Sequence, residues 1–407
     1  FPAFAYAVIT GPFAFLKTFE HVTDQASGGR KFIRFALTII IPLIILIVFL
    51  AIYASASPYF NRLTGNILQR IVDIFENIAR FVSPAAFWLA VAGLLIAFTF
   101  LFGRPNTLFT VFGEKSGMDL LRKRSPFSGR FMALKTEYRS GVIMLLLLNL
   151  LIAVMNMLDV YYVWFFFEWN GQYLKQFVHE GTWLLIVSIL ISIMIVLYFF
   201  RANLNFFPGR KLILSLAGLW LAQNALLAVS VGVRNFWYIQ HFNLAYKRIG
   251  VYAFLLLTIV GLITVFLKIQ KRKSHQYLLH YNAIAAYVLL IGLGLFNWDK
   301  VIATYNVRHA DKAFFHPEFM STLSSSTLPV LQLSVSQMDI IEKAQVEKFD
   351  FYHEYMTLDY YKERVDTRCR DFIKGYPMLS WQGWNLADFR AFRELNSGNK
   401  ALYQHPE

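Results

Sequence analysis

Apolar residues in this chain come in long unbroken runs, not at the spacing of a soluble helix or strand. "VIMLLLLNLLIAVMNML" and "VYAFLLLTIVGLITVFL" are examples, and a helix needs roughly 20 such residues to cross the hydrocarbon core. Eight runs follow in order, at about 1–19, 33–54, 85–103, 140–166, 182–200, 212–233, 249–268 and 279–301. Gly11 and Pro12 interrupt the first; the other seven are long enough to span with modest tilt. Strand signals are scarce. The pattern predicts an all-α polytopic membrane protein, with a bundle of about eight transmembrane helices over 1–301 and a small, mainly helical domain over 302–407.

Between the second and third runs the period changes. In "NRLTGNILQRIVDIFENIARFV", Ile67, Leu68, Ile71, Ile74, Phe75, Ile78, Phe81 and Val82 recur at three- and four-residue spacing, and Gln69, Arg70, Asp73, Glu76, Asn77 and Arg80 take the other side. This predicts an amphipathic helix over about 61–82. It either lies in the outer interface or packs as an ordinary surface helix.

Composition agrees with lipid as the solvent. Of 407 residues 57% are apolar and 16% charged, against about 25% charged in a soluble domain. The net charge of +14 changes the picture only through its distribution. Connecting segments 17–34, 104–139, 201–211 and 268–273 together hold 19 Lys and Arg, whereas 55–84, 167–181 and 234–248 hold 7. Basic segments stay in the cytoplasm, so alternate crossing carries 302–407 to the outside of a bacterial inner membrane. The tail carries 12 basic against 14 acidic residues. Excess positive charge is thus an inner-leaflet signature, membrane lipid is the expected partner of the bundle, and no nucleic acid is expected. "LLRKRSPFSGR" in 104–139 is open to two readings, a protein-docking strip or an orienting cluster touching anionic lipid. The numbering opens at Phe1 inside apolar sequence, which leads one to expect residues before it. Cys369 is the single cysteine, which excludes an internal disulfide and a multi-cysteine metal site.

In the tail, "STLSSSTLP" reads as a linker or turn. "VSQMDIIEKAQVEKF" and "LDYYKERVDTRCRDFI" read as helices, and "GYPMLSWQGWN" breaks the pattern. "NLADFRAFREL" resumes it, with Asn385 as cap and Leu386, Phe389, Phe392 and Leu395 facing one way.

Polar residues inside spans are costly and ask for a reason. In the fourth run Asn149 and Asn156 share a face with Asp159 close by. In the sixth, Gln223, Ser230 and Arg234 fall at i, i+7 and i+11. The expected place for Arg234 is near the outer boundary, paired or hydrated, with Asp159 and Glu168 as partners. Topology brings a second set to the same depth: His179, Glu180, Asn235, Gln240, His241, Asn297, Asp299, Asn306, Arg308 and His309. One reading is an outward pocket with acid, base and cation. The other is a set of satisfied helix ends. His179, His241 and His309 lack any spacing that sets two ligands on one face, so neither a metal nor another cofactor is expected. No phosphate loop, nucleophile elbow or dinucleotide fingerprint is present, and no catalytic residue is assigned.

The series "TEYRSGVIMLLLLNLLIAVMNMLDVYYVW", "FVHEGTWLLI", "LAQNALLAVSVGVRNFWYIQHFNLAYKRIGVY" and "NWDKVIATYNV" resembles a family of bacterial polytopic membrane proteins catalogued as domain of unknown function family 4173. The likeness covers about 137–310. It implies that the polar residues above belong to the family's shared pattern, and it carries no catalytic role to Glu137, His179 or Arg234. Three functional expectations follow. The first is a non-catalytic component of the bacterial envelope whose domain 302–407 docks another envelope protein. The second is a transporter or flippase for an amphiphile, suggested by the polar stripe. The third is an envelope enzyme using Glu168, His179 or Asp299.

Overall fold

The computed structural model describes residues 29–79, 118, 120, 130–167, 171–200 and 203–403. It is all-helical, and six helices among these residues are long and apolar enough to cross a membrane. The protein is an all-α polytopic membrane protein. The runs expected at 1–19 and 85–103 lie outside the described residues, as does most of 104–139. Contacts divide the chain into two units, one of Phe1–Val231 with Thr258–Ala283 and one of Gly232–Leu257 with Ile284–Glu407.

In the first unit, α1 (Gly29–Ala56) packs on α3 (Arg130–Asp159) and α4 (Gly171–Phe199). α5 (Arg210–Phe242), α6 (Tyr246–Lys271) and α7 (His275–Gly294) begin or end in it. α3 shows why apolar side chains occupy every face. Leu145, Leu148, Ile152 and Met155 are buried, while Leu146, Leu150 and Met157 between them stay exposed. The first set meets protein and the second is suited to lipid, so no polar face is needed. Aromatic edges fasten α1 to α5: Phe49 meets Tyr53 at 5.8 Å and Trp220 at 5.6 Å, both edge-to-face.

Ser57 separates α1 from α2 (Pro58–Ala79), which Pro58 opens. Proline opens a helix at no hydrogen-bond cost, and the Ser57 hydroxyl accepts from Phe60 N at 3.4 Å. α2 realises the amphipathic helix of the sequence. Phe60 and Thr64 are buried, whereas Leu63 and Ile67 are exposed.

The second unit contains the tail. The run expected to continue to 301 breaks instead: α7 ends at Gly294, and Asn297 caps a new helix, α8 (Trp298–Arg308), by accepting from Lys300 N at 3.0 Å. There follow α9 (Pro317–Thr322), α10 (Leu328–Leu331), α11 (Val335–Lys348), α12 (Leu358–Gly375) and α13 (Leu386–Tyr403). Ser334 and Gln337 form a reciprocal capping box on α11, and Thr357 caps α12. Asn385 caps α13 by accepting from Asp388 N at 2.8 Å. "STLSSSTLP" is a packed corner: Leu323, Ser326, Thr327 and Leu328 are all buried. They join a core of Ile302, Phe315, Leu331, Tyr361 and Leu395. On α13 the core face is Ala391 and Leu395, and Leu386 is exposed.

Gly141 of α3 marks a tight approach in the first unit, because a Cβ there would lie 2.9 Å from Phe199 Cε1 and 3.0 Å from Ile213 Cδ1. Gly141→Ala is expected to push both side chains off their positions and cost about 1–3 kcal/mol, measured as detergent-solubilised thermal or denaturant unfolding of the full chain. Unchanged stability would show the approach to be slack.

Candidate functional site

The intramembrane stripe resolves into hydrogen-bonded pairs. Asn149, on the buried face of α3, donates to its own Leu145 O at 2.7 Å and across to Leu216 O of α5 at 3.1 Å. Its side-chain oxygen accepts from Gln223 Nε2 at 2.7 Å. Two turns on, Asn156 donates to Gln223 O at 3.1 Å. Asp159 Oδ2 then accepts from Ser230 Oγ at 2.8 Å, and Trp164 Nε1 donates to that hydroxyl at 3.3 Å. The seven-residue steps 149–156 and 223–230 thus lie side by side, each rung closed by an amide or hydroxyl. A hydroxyl relaying Trp164 to a carboxylate is the donor arrangement a buried Asp needs.

Trp164 reaches Ser230 because the helix changes pitch. Val160–Phe165 is a π-helix, seen in Phe166 N donating to Tyr161 O at 3.1 Å. The same turn stacks Tyr162 on Tyr59 at 4.1 Å. Such widened turns occur often at functional positions.

The residues expected at the outer face are placed as follows. Glu168 lies outside the described residues. His179 and Glu180 belong to α4 by their backbone, and their side chains are not among those described. Arg234 is fully buried in the second unit, and Asp159 belongs to the first. The remainder form joints within the second unit. Asn306 pairs with the backbone of Leu244, accepting from its N–H at 2.8 Å and donating to its carbonyl at 2.9 Å. Asn297 caps α8 and also donates to Ser326 Oγ at 3.0 Å. Asp299 accepts from the Tyr246 hydroxyl and from Ser324 N. His241 and His309 each lie one turn beyond a backbone carbonyl, of Trp237 and Tyr305, at 2.9 and 2.8 Å. Gln240 Nε2 donates to Tyr305 Oη at 3.5 Å, and Asn235 to Arg248 O at 3.0 Å.

Three side chains of the same kind were not picked out by sequence. Arg248 donates to the Phe242 and Asn243 carbonyls that end α5, where positive charge is favoured. Asn243 there is left-handed, φ 64°. Gln345, fully buried, accepts from Phe315 N at 3.0 Å and donates to Ala310 O and Ala313 O at 2.7 and 2.9 Å. Its sequence signal was a polar residue on the core spacing Met338, Ile341, Gln345. Among the described residues no group of His, Cys, Asp and Glu is placed to hold a metal ion.

The second unit also carries an exposed apolar surface. Tyr376–Met378 and Trp381–Gly383 form two short turns, fixed by Leu379 N donating to Tyr376 O at 3.1 Å and Gly383 N to Ser380 O at 3.0 Å. They line an open groove of about 480 Å³ with Tyr376, Pro377, Leu379, Trp381, Trp384 and Phe389. Met378 is 86% exposed and Trp381 85%.

A family model described as a domain of unknown function, DUF4153, matches residues 1–333. The chain belongs to the DUF4153 family. This corrects the resemblance to family 4173 and keeps its kind, a family without assigned chemistry. No curated protein and no solved structure matches this DUF4153 protein. The matched residues end at α10, so the groove lies beyond them.

Two predictions follow from this geometry. Asn149→Leu leaves the Gln223 amide unmet and is expected to cost about 1–3 kcal/mol; the double variant with Gln223→Leu should cost less than the two singles combined. Unfolding of the full chain in detergent reads both, and strict additivity would dismiss the coupling. In the tail, burial holds the His316 imidazole below its usual value of 6.5, with Glu318 opposing and Arg248 assisting. Its ring nitrogen accepts from Phe319 N at 3.3 Å, which requires the neutral form. The folded pKa lies below the unfolded one, so this stability is complete above about 6.5 and is lost as pH falls through the lowered value. His316→Asn keeps an acceptor at the cap and should flatten that part of the stability–pH curve.

Proposed function

We propose that this DUF4153 protein is a non-catalytic component of the bacterial inner membrane that docks another envelope protein through its C-terminal region. In this reading the basic connecting segments face the cytoplasm and 302–407 lie outside. Support for the orientation is the charge asymmetry, 19 Lys and Arg against 7 in the alternating sets. Support for docking is a single observation, the Trp381–Trp384 groove. Exposed tryptophans in a pre-ordered loop are what interface hot spots are made of, and order before binding lowers the entropy cost.

Three of the described polar candidates fit the same reading. Asn297, Asp299 and Asn306 spend their hydrogen bonds on turns and helix ends, leaving none of the three aimed at a substrate. An enzyme would need an acid or base free to exchange protons at a reacting atom.

Trp381→Ala and Trp384→Ala are expected to weaken the complex by about 30-fold each, the hot-spot loss of about 2 kcal/mol. Both are exposed, so unfolding should move by no more than about 0.5 kcal/mol. The readout is a photo-crosslinking residue at the exposed position 378 in intact cells, with the adduct identified by mass spectrometry and quantified in the Trp381→Ala and Trp384→Ala backgrounds. A lone monomer recovered under every mild-detergent condition, with no adduct, would end the proposal.

A further inference from the structure

Within and beside the polar rungs between α3 and α5, four buried polar atoms have no partner. Tyr53 Oη, Asn156 Oδ1, Trp220 Nε1 and Asn224 Oδ1 have no hydrogen-bond partner. Their residues are 0, 4, 0 and 0% exposed. Buried unmet donors and acceptors are rare in native proteins, because each costs desolvation without return. Hydrocarbon around the bundle makes that cost harder to escape.

The four belong to one seam. Phe49 touches both Tyr53 and Trp220, which puts these two at the α1–α5 contact. Asn224 stands one turn beyond Trp220 and donates to its carbonyl at 2.7 Å, leaving its own oxygen over. Asn156 donates to the carbonyl of Gln223, the residue preceding Asn224. The Tyr53 hydroxyl faces Ser188 of α4 closely enough for a weak hydrogen bond, short of good geometry, and lies near Asp159 of α3. Polar groups that approach without a well-formed bond are commonly joined through water. The set is balanced, since a hydroxyl and an indole N–H donate while two amide oxygens accept. That complement suits a ligand that both donates and accepts, as water does. The π-helix that follows Asp159 is a second, independent mark of a working position.

We propose that this seam is a binding site for ordered water, held by Tyr53, Asn156, Trp220 and Asn224 and bridging them to Ser188 and Asp159. The first unit then has a hydrated interior at the level of Asp159, and its buried carboxylate is in contact with exchangeable water. The site is independent of the docking groove.

Hydroxyl radicals generated from bound water by an X-ray pulse label the side chains that touch it, so radiolytic footprinting of the full chain in nanodiscs tests the site. Tyr361 is the control: it is equally buried, and its hydroxyl is satisfied by Leu331 O at 3.0 Å. After correction for intrinsic reactivity, Tyr53 and Trp220 are expected to be labelled several-fold faster than Tyr361 and Phe49. Labelling as slow as Tyr361 would overturn the proposal, as would Trp220 labelling unchanged in a folded Asn224→Leu variant. If that variant fails to fold, the wild-type ratio decides alone.

Discussion

A polar group carried into hydrocarbon has no water to fall back on, and every part of this bundle answers to that constraint. The α3–α5 contact shows the answer. Gln223 donates one side-chain hydrogen bond to Asn149, and Asn149 donates in turn to backbone carbonyls; further along, Asn156 donates to the Gln223 carbonyl and Ser230 to Asp159. Apolar packing alone would leave these two helices free to slide, since lipid tails are as apolar as Leu. Amide rungs fix the register, because a slip of one residue would break several bonds at once. The average gain from such bonds in membranes is modest, about 0.6 kcal/mol each, so their main effect here is specificity.

The second unit uses the same device away from helix–helix packing. Asn306 takes both backbone groups of Leu244, Gln345 takes three from the 310–315 turn, and Arg248 closes the end of α5. Each side chain replaces a strand or helix partner that an irregular segment lacks. These residues resemble a site in the sequence because polarity at a helix end reads alike whether it serves chemistry or closure. Geometry separates the two: groups used for closure face backbone atoms of their own unit.

How much was legible follows from what each feature depends on. Spans were visible because hydrophobic length is a local property, and the stripe was visible because seven-residue spacing fixes a face. Asn385 was found as a cap for the same local reason. The end of α7 was misplaced because "GLGLFNWDK" stays apolar past Gly294, while the break is made by Asn297 capping onward. Neither the π-helix nor Tyr53 carried a signal, since "VYYVWF" is compatible with either pitch and a tyrosine at an aromatic belt is ordinary. Gln345 was overlooked although it sat on a core spacing. Of the two readings of "STLSSSTLP", linker or turn, the turn is what forms: serine and threonine suit a tight 3-10 corner, and Leu323 and Leu328 bury it.

Where a protein leaves energy unspent is therefore more telling than where it is polar. In the second unit Asn297, Asp299, Asn306 and Gln345 are consumed by turns and helix ends, while aromatic surface held in fixed turns stays exposed. A loop that served only to connect α12 and α13 would lower its free energy by folding Trp381 and Met378 inward or by replacing them with polar residues. Their exposure, in a segment whose backbone is hydrogen-bonded into shape, is a cost that another surface can repay. In the first unit the unspent energy is of the opposite kind, buried polar atoms that include those of Tyr53, Asn156, Trp220 and Asn224. Water can satisfy them without opening the bundle, and apolar side chains there would have removed the cost altogether.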